Sequence, residues 1–240
     1  MKTTFVIPTY NEAENIPKLV KAVMELPVAI NLLIVDDNSP DGSGDLAEQM
    51  KKEHPGRIQV LHRKGKLGLG SAYIQGFRQA MAEGADFIGQ MDADFSHPID
   101  KIPVLMDNLS TSDFVIGSRY VPGGKLDDNW PFWRKWLSGF GNFYARTILG
   151  LKIKDVTGGF RLWRKETLSA MPLERVKSNG YIFQVEMSYL ATLLGFQYAE
   201  TPIYFADRRW GQSKMSLRIQ LEAAYRTWLL LGFYTDLKRG

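Results

Sequence analysis

The sequence predicts a single doubly wound α/β domain on a mostly parallel sheet, and three observations predict it. Short apolar runs alternate with segments of helical periodicity through the first half of the chain, a pattern that favours parallel pairing through right-handed crossovers. Each cluster of acidic and turn residues follows one of those runs, which puts it at the carboxyl ends of the strands, where such sheets bind ligands. The 240 residues are 45% apolar, enough for one continuous core, and they show no internal repeat, low-complexity tract or clear linker.

Taken in order, strands are expected over residues 4–8, 31–36, 58–62, 86–91 and 114–118, with helices over 11–25, 43–53, 70–83 and 99–108. The first helix opens on Asn11 with Glu14 three residues later, the spacing of a capping box, and sets Ile16, Leu19, Val20 and Val23 on one face. The second strand ends in Asp36-Asp37-Asn38-Ser39, and Asp41-Gly42 has turn chemistry. After the third strand, Gly68 and Gly70 suit close packing where the chain enters a helix, with Lys64 or Lys66 in reach of a phosphate. The fourth strand runs into Asp92-Ala93-Asp94. Alternate residues of a strand point the same way, so both carboxylates can face one hard cation, a natural clamp for a diphosphate. Asp-x-Asp by itself also occurs as turn chemistry.

Composition narrows the classes. The absence of cysteine excludes disulfides and thiolate metal sites and suits a reducing compartment. The N-terminus enters its first strand without a signal-peptide pattern. The apolar stretch Trp228 to Tyr234 is far shorter than the roughly 20 residues a spanning helix needs. Net charge is +4, but residues 1–116 hold 11 Lys/Arg against 16 Asp/Glu, and residues 117–240 hold 19 against 10. An acidic half followed by a basic half fits a metal site followed by a surface for phosphate or anionic lipid, or else uneven solvation. No nucleic-acid motif appears, so no nucleic-acid partner is expected.

Several segments together carry a resemblance. They are Pro8 to Asn15, Val35 to Gly42, Gly68-Leu69-Gly70-Ser71-Ala72-Tyr73, Asp92 to Pro98, Gly117-Ser118-Arg119-Tyr120, Thr157-Gly158-Gly159-Phe160-Arg161, Gly180-Tyr181-x-Phe183-Gln184-x-Glu186 and Asp207-Arg208-x-x-Gly211-x-Ser213-Lys214. The chain resembles a family 2 glycosyltransferase of the GT-A fold and, more narrowly, the dolichol-phosphate (polyprenol-phosphate) mannose synthases. That resemblance implies inverting transfer of mannose from GDP-mannose to a polyprenyl monophosphate, assisted by Mg²⁺ or Mn²⁺. It assigns Pro8, Tyr10, Glu12, Val35, Asp37, Lys64, Asp92, Ala93 and Asp94 to the donor. By resemblance Asp94 is the metal ligand, while Asp92 orients the sugar or completes the coordination shell; Ser96 stands where some relatives carry a metal-assisting Gln. A phosphate monoester is largely dianionic near neutral pH and needs no base, so catalysis rests on Asp92, Asp94 and Arg119 through position and charge. Acceptor-phosphate candidates are Arg119, Arg134, Ser138, Arg208, Arg209 and Lys214. Gln184 and Glu186 either contact the sugar or brace the Asp pair.

Trp130, Trp133 and Trp136 lie among basic residues at the start of a helix that continues through Phe140, Tyr144 and Ile148, a composition suited to the headgroup region of a bilayer. A last helix in 216–240 places Leu217, Leu221, Ala224, Trp228 and Leu231 on one side, opposite Arg218, Glu222 and Arg226. The expectation is therefore a GT-A domain over 1–215 and an amphipathic C-terminal helix over 216–240, peripheral at the cytoplasmic face of a membrane, with or without a small membrane-anchoring subunit. The rivals are the same fold using UDP-glucose or another nucleotide sugar, and a non-catalytic nucleotide-sugar binding protein.

Overall fold

The computed structural model describes residues 1–207 and 217–239. The apolar runs of the first half form β1 (Thr3–Thr9), β2 (Ile30–Asp36), β3 (Ile58–His62), β4 (Phe87–Gln90) and β5 (Phe114–Ser118). Between them lie α1 (Ile16–Met24), α2 (Ser43–Glu53), α3 (Leu69–Ala82) and α4 (Ile102–Asn108). The second half adds β6 (Lys125–Leu126), α5 (Phe132–Leu149), β7 (Arg161–Arg164), α6 (Lys165–Ala170), α7 (Tyr181–Leu193), β8 (Tyr198–Pro202), β9 (Tyr204–Phe205) and α8 (Leu217–Phe233). Seven strands form one sheet in the order β3-β2-β1-β4-β7-β5-β8, and β6 pairs with β9 in a short parallel ribbon. All neighbours in the main sheet are parallel except β7, which runs antiparallel to β4 and β5.

Alternation along the central strands divides the core in two. Val6, Leu33 and Val35 pack on one face with Tyr73, Phe77, Trp163 and Phe183. Phe5, Ile7, Leu32 and Ile34 pack on the other with Ile16, Leu19, Val20 and Val23 of α1. Strands buried on both faces read as near-continuous apolar runs, which is why β1 and β2 were legible. Four-residue β7 reads as polar yet is the inner strand between β4 and β5.

Two expectations are corrected. The first helix starts at Ile16 rather than Asn11, because the neighbouring β2–α2 loop captures the intervening backbone. Asn11 N–H donates to Ser39 Oγ (3.2 Å), Glu12 N–H to Ser43 Oγ (2.8 Å) and Ala13 N–H to Asp41 Oδ2 (3.0 Å). Asp92 and Asp94 lie beyond β4, which ends at Gln90, so a loop and not strand alternation sets their placement. Helix α8 packs against α7 and α5, with Thr227 and Leu230 buried, Tyr234 buried just beyond its end, and Trp228 56% exposed. Among the described residues no helix is long and apolar enough to cross a membrane.

Gly89 sits in β4 directly over the Phe5 ring, where a Cβ would overlap ring atoms. Gly89→Ala is expected to destabilise the fold by about 1–3 kcal/mol through overpacking, read as a lower urea midpoint; an unchanged midpoint would show that β1 and β4 can separate freely.

Candidate active site

Three residues in left-handed backbone stand at the ends of adjacent strands: Asn11 (φ 60°) beyond β1, Asn38 (φ 57°) beyond β2 and Phe95 (φ 61°) beyond β4. Asparagine visits this region readily, but Phe95 there costs on the order of 1–3 kcal/mol. These left-handed residues along one sheet edge mark where the chain bends sharply out of each strand.

On the β1–β2 side the adjacent aspartates diverge. Asp36 turns to Ser39, accepting from its Oγ at 2.6 Å and holding the loop. Asp37 instead accepts from Arg63 Nη1 at 2.5 Å, with that arginine's side chain 2% exposed. Burial, opposed by Arg63, leaves the Asp37 carboxyl above its ordinary range. Arg63 Nη2 also donates to Ser71 Oγ at 2.5 Å, so the β3–α3 loop and Asp37 form one unit. Arg63 directly follows the third strand and was not singled out in the sequence; its sign, opposite Asp37 across paired strand ends, was the available clue. Lys64 and Lys66 are both exposed, and Lys66 Nζ stands 4.3 Å from the centroid of the Tyr10 ring, within cation–π range. Pro8, Tyr10 and Glu12 are half-buried along this edge, and Asn15 Nδ2 donates to Glu12 Oε2 at 2.6 Å. Val35 and Ala93 bury their side chains in the core.

The carboxylate pair lies at the centre of the edge. Asp94, 4% exposed, accepts at Oδ1 from Ser96 N–H (3.1 Å) and Ser96 Oγ (2.6 Å). Ser96 therefore orients Asp94. The Tyr73 hydroxyl reaches Asp92 Oδ1 at 3.4 Å from within the core; burial and then Asp92 push its phenol well above the usual range, so it remains a donor. His97 accepts the Asp92 N–H at Nδ1 (3.1 Å) and stacks on Phe160. Burial lowers its pKa, keeping it neutral and structural. Gln184 Oε1 accepts from Gln90 Nε2 (2.6 Å), while Gln90 Oε1 accepts from Trp163 Nε1 (3.0 Å). Gln184 thus braces the strand that leads to the pair. No group of three His, Asp or Glu that could hold a metal occurs among the described residues. Two carboxylates are the protein share of a site for Mg²⁺, which takes its other oxygens from phosphate and water, so the donor set fits such an ion.

A cationic cluster gathers just beyond the end of β5. Arg119 is bidentate to Asp155, with Nε to Oδ2 and Nη2 to Oδ1 both at 2.7 Å, and Nη2 also donates to Thr157 Oγ1 at 2.7 Å. None of these bonds uses Nη1. Burial alone would raise Asp155, but Arg119 holds it below the usual carboxylate range; burial likewise opposes charge on Arg119, yet Asp155 more than compensates and raises it. Beneath them Arg161 is fully buried and donates to the carbonyls of Gly158 (2.9 Å) and Val156 (2.8 Å). Burial lowers it to about 9 against the pull of Asp155 and Glu200, which still leaves it cationic at neutral pH. The Arg119 guanidinium carbon lies 5.3 Å from the Tyr120 ring and 5.2 Å from Phe205. Tyr120 OH shares a 2.7 Å hydrogen bond with Ser138 Oγ. Arg134 lies 3.6 Å over Trp130 and pairs with Asp207 at 3.1 Å. Arg119, Ser138 and Arg134 are thus joined through aromatic rings into one surface. Arg208, Arg209 and Lys214 lie outside the described residues. Asp155, which aims Arg119, was missed; its only sequence signal is an acid two residues ahead of Thr157-Gly158-Gly159-Phe160-Arg161.

Helix α5 carries Arg134 and Ser138 toward this cluster and turns Phe132, Trp133, Trp136, Phe140 and Phe143 outward, all at least 47% exposed. Trp130 is buried instead, under Arg134. On α8, Tyr225, Trp228 and Phe233 are exposed as well, and Trp228 Nε1 donates to Tyr144 OH at 2.9 Å.

Comparison with known proteins gives a consistent result. A profile of glycosyl transferase family 2 matches residues 4–171. The chain is 45% identical over 223 residues to an undecaprenyl-phosphate mannosyltransferase of Micrococcus luteus, covering 93% of this chain and 91% of that one. It is 44% identical over 216 residues to a polyprenol monophosphomannose synthase of Mycolicibacterium smegmatis, covering 90% and 81%. Among solved structures it resembles glucosyl-3-phosphoglycerate synthase of Mycobacterium tuberculosis, crystallised with Mn²⁺, UDP and glucosyl-3-phosphoglycerate. That match has a TM-score of 0.64 at 16% identity over 97% of this chain and 79% of the other. It also resembles Staphylococcus aureus TarS in complex with UDP-GlcNAc, with a TM-score of 0.61 at 17% identity over 96% and 66%.

Asp155→Asn is expected to cost about 3–5 kcal/mol of stability, because it leaves the buried Arg119 charge unpaired. Guanidinium unfolding measures this, and a loss below about 1 kcal/mol would mean that Arg119 is hydrated rather than sealed.

Proposed function

The chain belongs to glycosyl transferase family 2 and has its GT-A fold, and on that premise we propose that it transfers mannose from GDP-mannose to a polyprenyl monophosphate, inverting the anomeric carbon. The observation that carries this reading is the 45% and 44% identity, over nearly the whole chain, to two proteins named for making polyprenyl-phosphate mannose. The composition of the site supports it: carboxylates beyond the end of β4, and beyond β5 a cluster of arginine, hydroxyl and aromatic groups beside an exposed apolar helix.

In this reading the nucleotide lies along the ends of β1 and β2, against Tyr10, Glu12 and Asp37, with Lys66 or Lys64 near the phosphates. Asp94, with Asp92, holds Mg²⁺ or Mn²⁺, which neutralises charge developing on the departing diphosphate. Arg119 presents Nη1, and Arg134 and Ser138 add donors, to the acceptor phosphate. They hold two like-charged groups together and leave the phosphate oxygen in line with the anomeric carbon. No general base is required, since the nucleophile arrives ionised. Arg208, Arg209 and Lys214, which lie outside the described residues, are the further cations that the resemblance assigns to the acceptor phosphate. The outward aromatics of α5 and α8 rest in the headgroup region at the cytoplasmic face, where the acceptor lipid resides.

The decisive assay combines the purified chain, Mg²⁺ or Mn²⁺, a short polyprenyl phosphate and GDP-mannose, UDP-glucose or UDP-N-acetylglucosamine, with products read by mass spectrometry. A mannosylated lipid phosphate from GDP-mannose alone is expected; a product from a different donor would correct the sugar. Asp94→Ala is expected to abolish transfer with the circular dichroism spectrum unchanged, and substantial metal-dependent turnover in that variant would remove the metal assignment. Arg134→Ala is expected to raise the acceptor KM about tenfold while GDP affinity holds, the signature of one lost charge-assisted contact. Equal loss on both sides would make Arg134 a structural residue.

A further inference from the structure

Glu186 is a buried carboxylate that the chemistry above does not use. It lies on α7 at 1% exposure. Its Oε2 accepts from the Ser178 N–H at 3.0 Å and its Oε1 from the Tyr234 hydroxyl at 2.5 Å. Both donors are neutral. The nearby Arg175 is engaged elsewhere, with Asp236 at 2.7 and 2.9 Å and the Phe233 carbonyl at 2.7 Å. Burying a carboxylate on neutral donors carries a desolvation penalty of several kcal/mol, so its partners indicate what the charge secures.

Those partners lead to the nucleotide side of the cleft. Ser178 and Asn179 precede α7 and press against Gly68, at the end of the β3–α3 loop, and Gly70, in the first turn of α3. A Cβ on Gly70 would collide with the Ser178 carbonyl oxygen, and one on Gly68 would come within 2.6 Å of Asn179 Oδ1. The Gly68 carbonyl in turn accepts from Ser71 Oγ (2.9 Å) and Arg63 Nη1 (3.4 Å). Arg63 is the group that holds Asp37. Ser178 therefore forms one wall of the loop that positions the Arg63–Asp37 pair. Tyr234, 1% exposed just beyond α8, fixes the other oxygen of the same carboxylate.

We propose that Glu186 is a positioning residue for the nucleotide pocket: by holding Ser178 it seats the segment before α7 on Gly68 and Gly70 and so fixes Arg63 against Asp37, with Tyr234 locking its orientation. The inference rests on the assignment of Asp37 to the nucleotide made above. Glu186→Gln keeps both contacts, since the amide oxygen accepts from Ser178 and the amide N–H donates to the Tyr234 oxygen. Glu186→Leu removes both.

The test is calorimetric titration of each folded variant with GDP and with UDP, alongside the KM for a short polyprenyl phosphate. Glu186→Leu is expected to weaken binding of the preferred nucleotide about tenfold and to leave the acceptor KM within about twofold, with Glu186→Gln restoring wild-type affinity. A general structural role would damage both substrates together, and that result would overturn the proposal, as would unchanged nucleotide affinity. Should Glu186→Leu fail to fold, Tyr234→Phe decides, with about threefold weaker nucleotide binding expected and no change overturning the proposal. A wild type that binds neither GDP nor UDP would remove the functional reading and this inference together. A wild type that binds, beside a variant that binds equally well, would remove this inference alone.

Discussion

The acceptor half of the molecule is organised around one sealed ion pair, Arg119 against Asp155. Asp155 is fully buried and receives the Arg119 backbone N–H (2.9 Å) as well as both guanidinium bonds. A buried pair offsets its desolvation only when its remaining hydrogen-bonding capacity is met, and the surroundings meet it. Glu200 of β8 holds the backbone N–H groups of Lys154 (2.8 Å) and Asp155 (3.0 Å). Asn142 of α5 reaches the same loop, accepting from Val156 N–H at 2.9 Å and donating to the Lys154 carbonyl. One electrostatic joint therefore ties the end of β5, the 152–158 loop, β8 and α5. Every group assigned to the acceptor phosphate among the described residues belongs to or leans on that joint.

The nucleotide half is built differently. Its loops are cross-linked by short polar side chains: Ser39, Asp41 and Ser43 of the β2–α2 loop capture the backbone after β1. Short side chains on opposed loops permit little adjustment, which suits a pocket that must hold a rigid nucleotide. The acceptor wall relies on long arginines laid over aromatic rings, contacts that tolerate sliding. The two halves meet at the end of β4, where Gln90, Gln184 and Trp163 form a fully buried hydrogen-bonded set directly behind the carboxylate pair. A satisfied polar network at such a junction fixes one register of strand and helix.

The sequence was most legible where one physical signal dominated. Apolar runs marked β1 to β5, and the apolar face of α1 is buried as its periodicity implies. Legibility failed where long-range contacts overrode local pattern. Arg161-Leu162-Trp163-Arg164 became a central strand because Arg161 finds the nearby carbonyls of Gly158 and Val156, while Arg164 binds those of Leu109 (2.5 Å) and Ser112 (2.8 Å), partners more than 50 positions away that no local window contains. Helix α1 lost its first turn to side chains some 28–31 positions away. At the site, the motif residues stood out by type and position. The residues that aim them, Arg63, Tyr73 and Asp155, did not, since a buried partner has no local signature.

Helix α5 is the feature with the widest physical reach. Its 18 residues make a rod about 27 Å long at 1.5 Å per residue, with Arg134 and Ser138 on one side and the exposed aromatics on the other. A rod cannot bend to serve its two sides separately. Tilting it by about 10° lifts one end by roughly 5 Å relative to the other, more than the length of a hydrogen bond. On the reading given above, bilayer curvature and lipid packing therefore become geometric inputs to reactivity. The same chain would meet its acceptor at a different angle on a tightly curved vesicle than on a flat sheet.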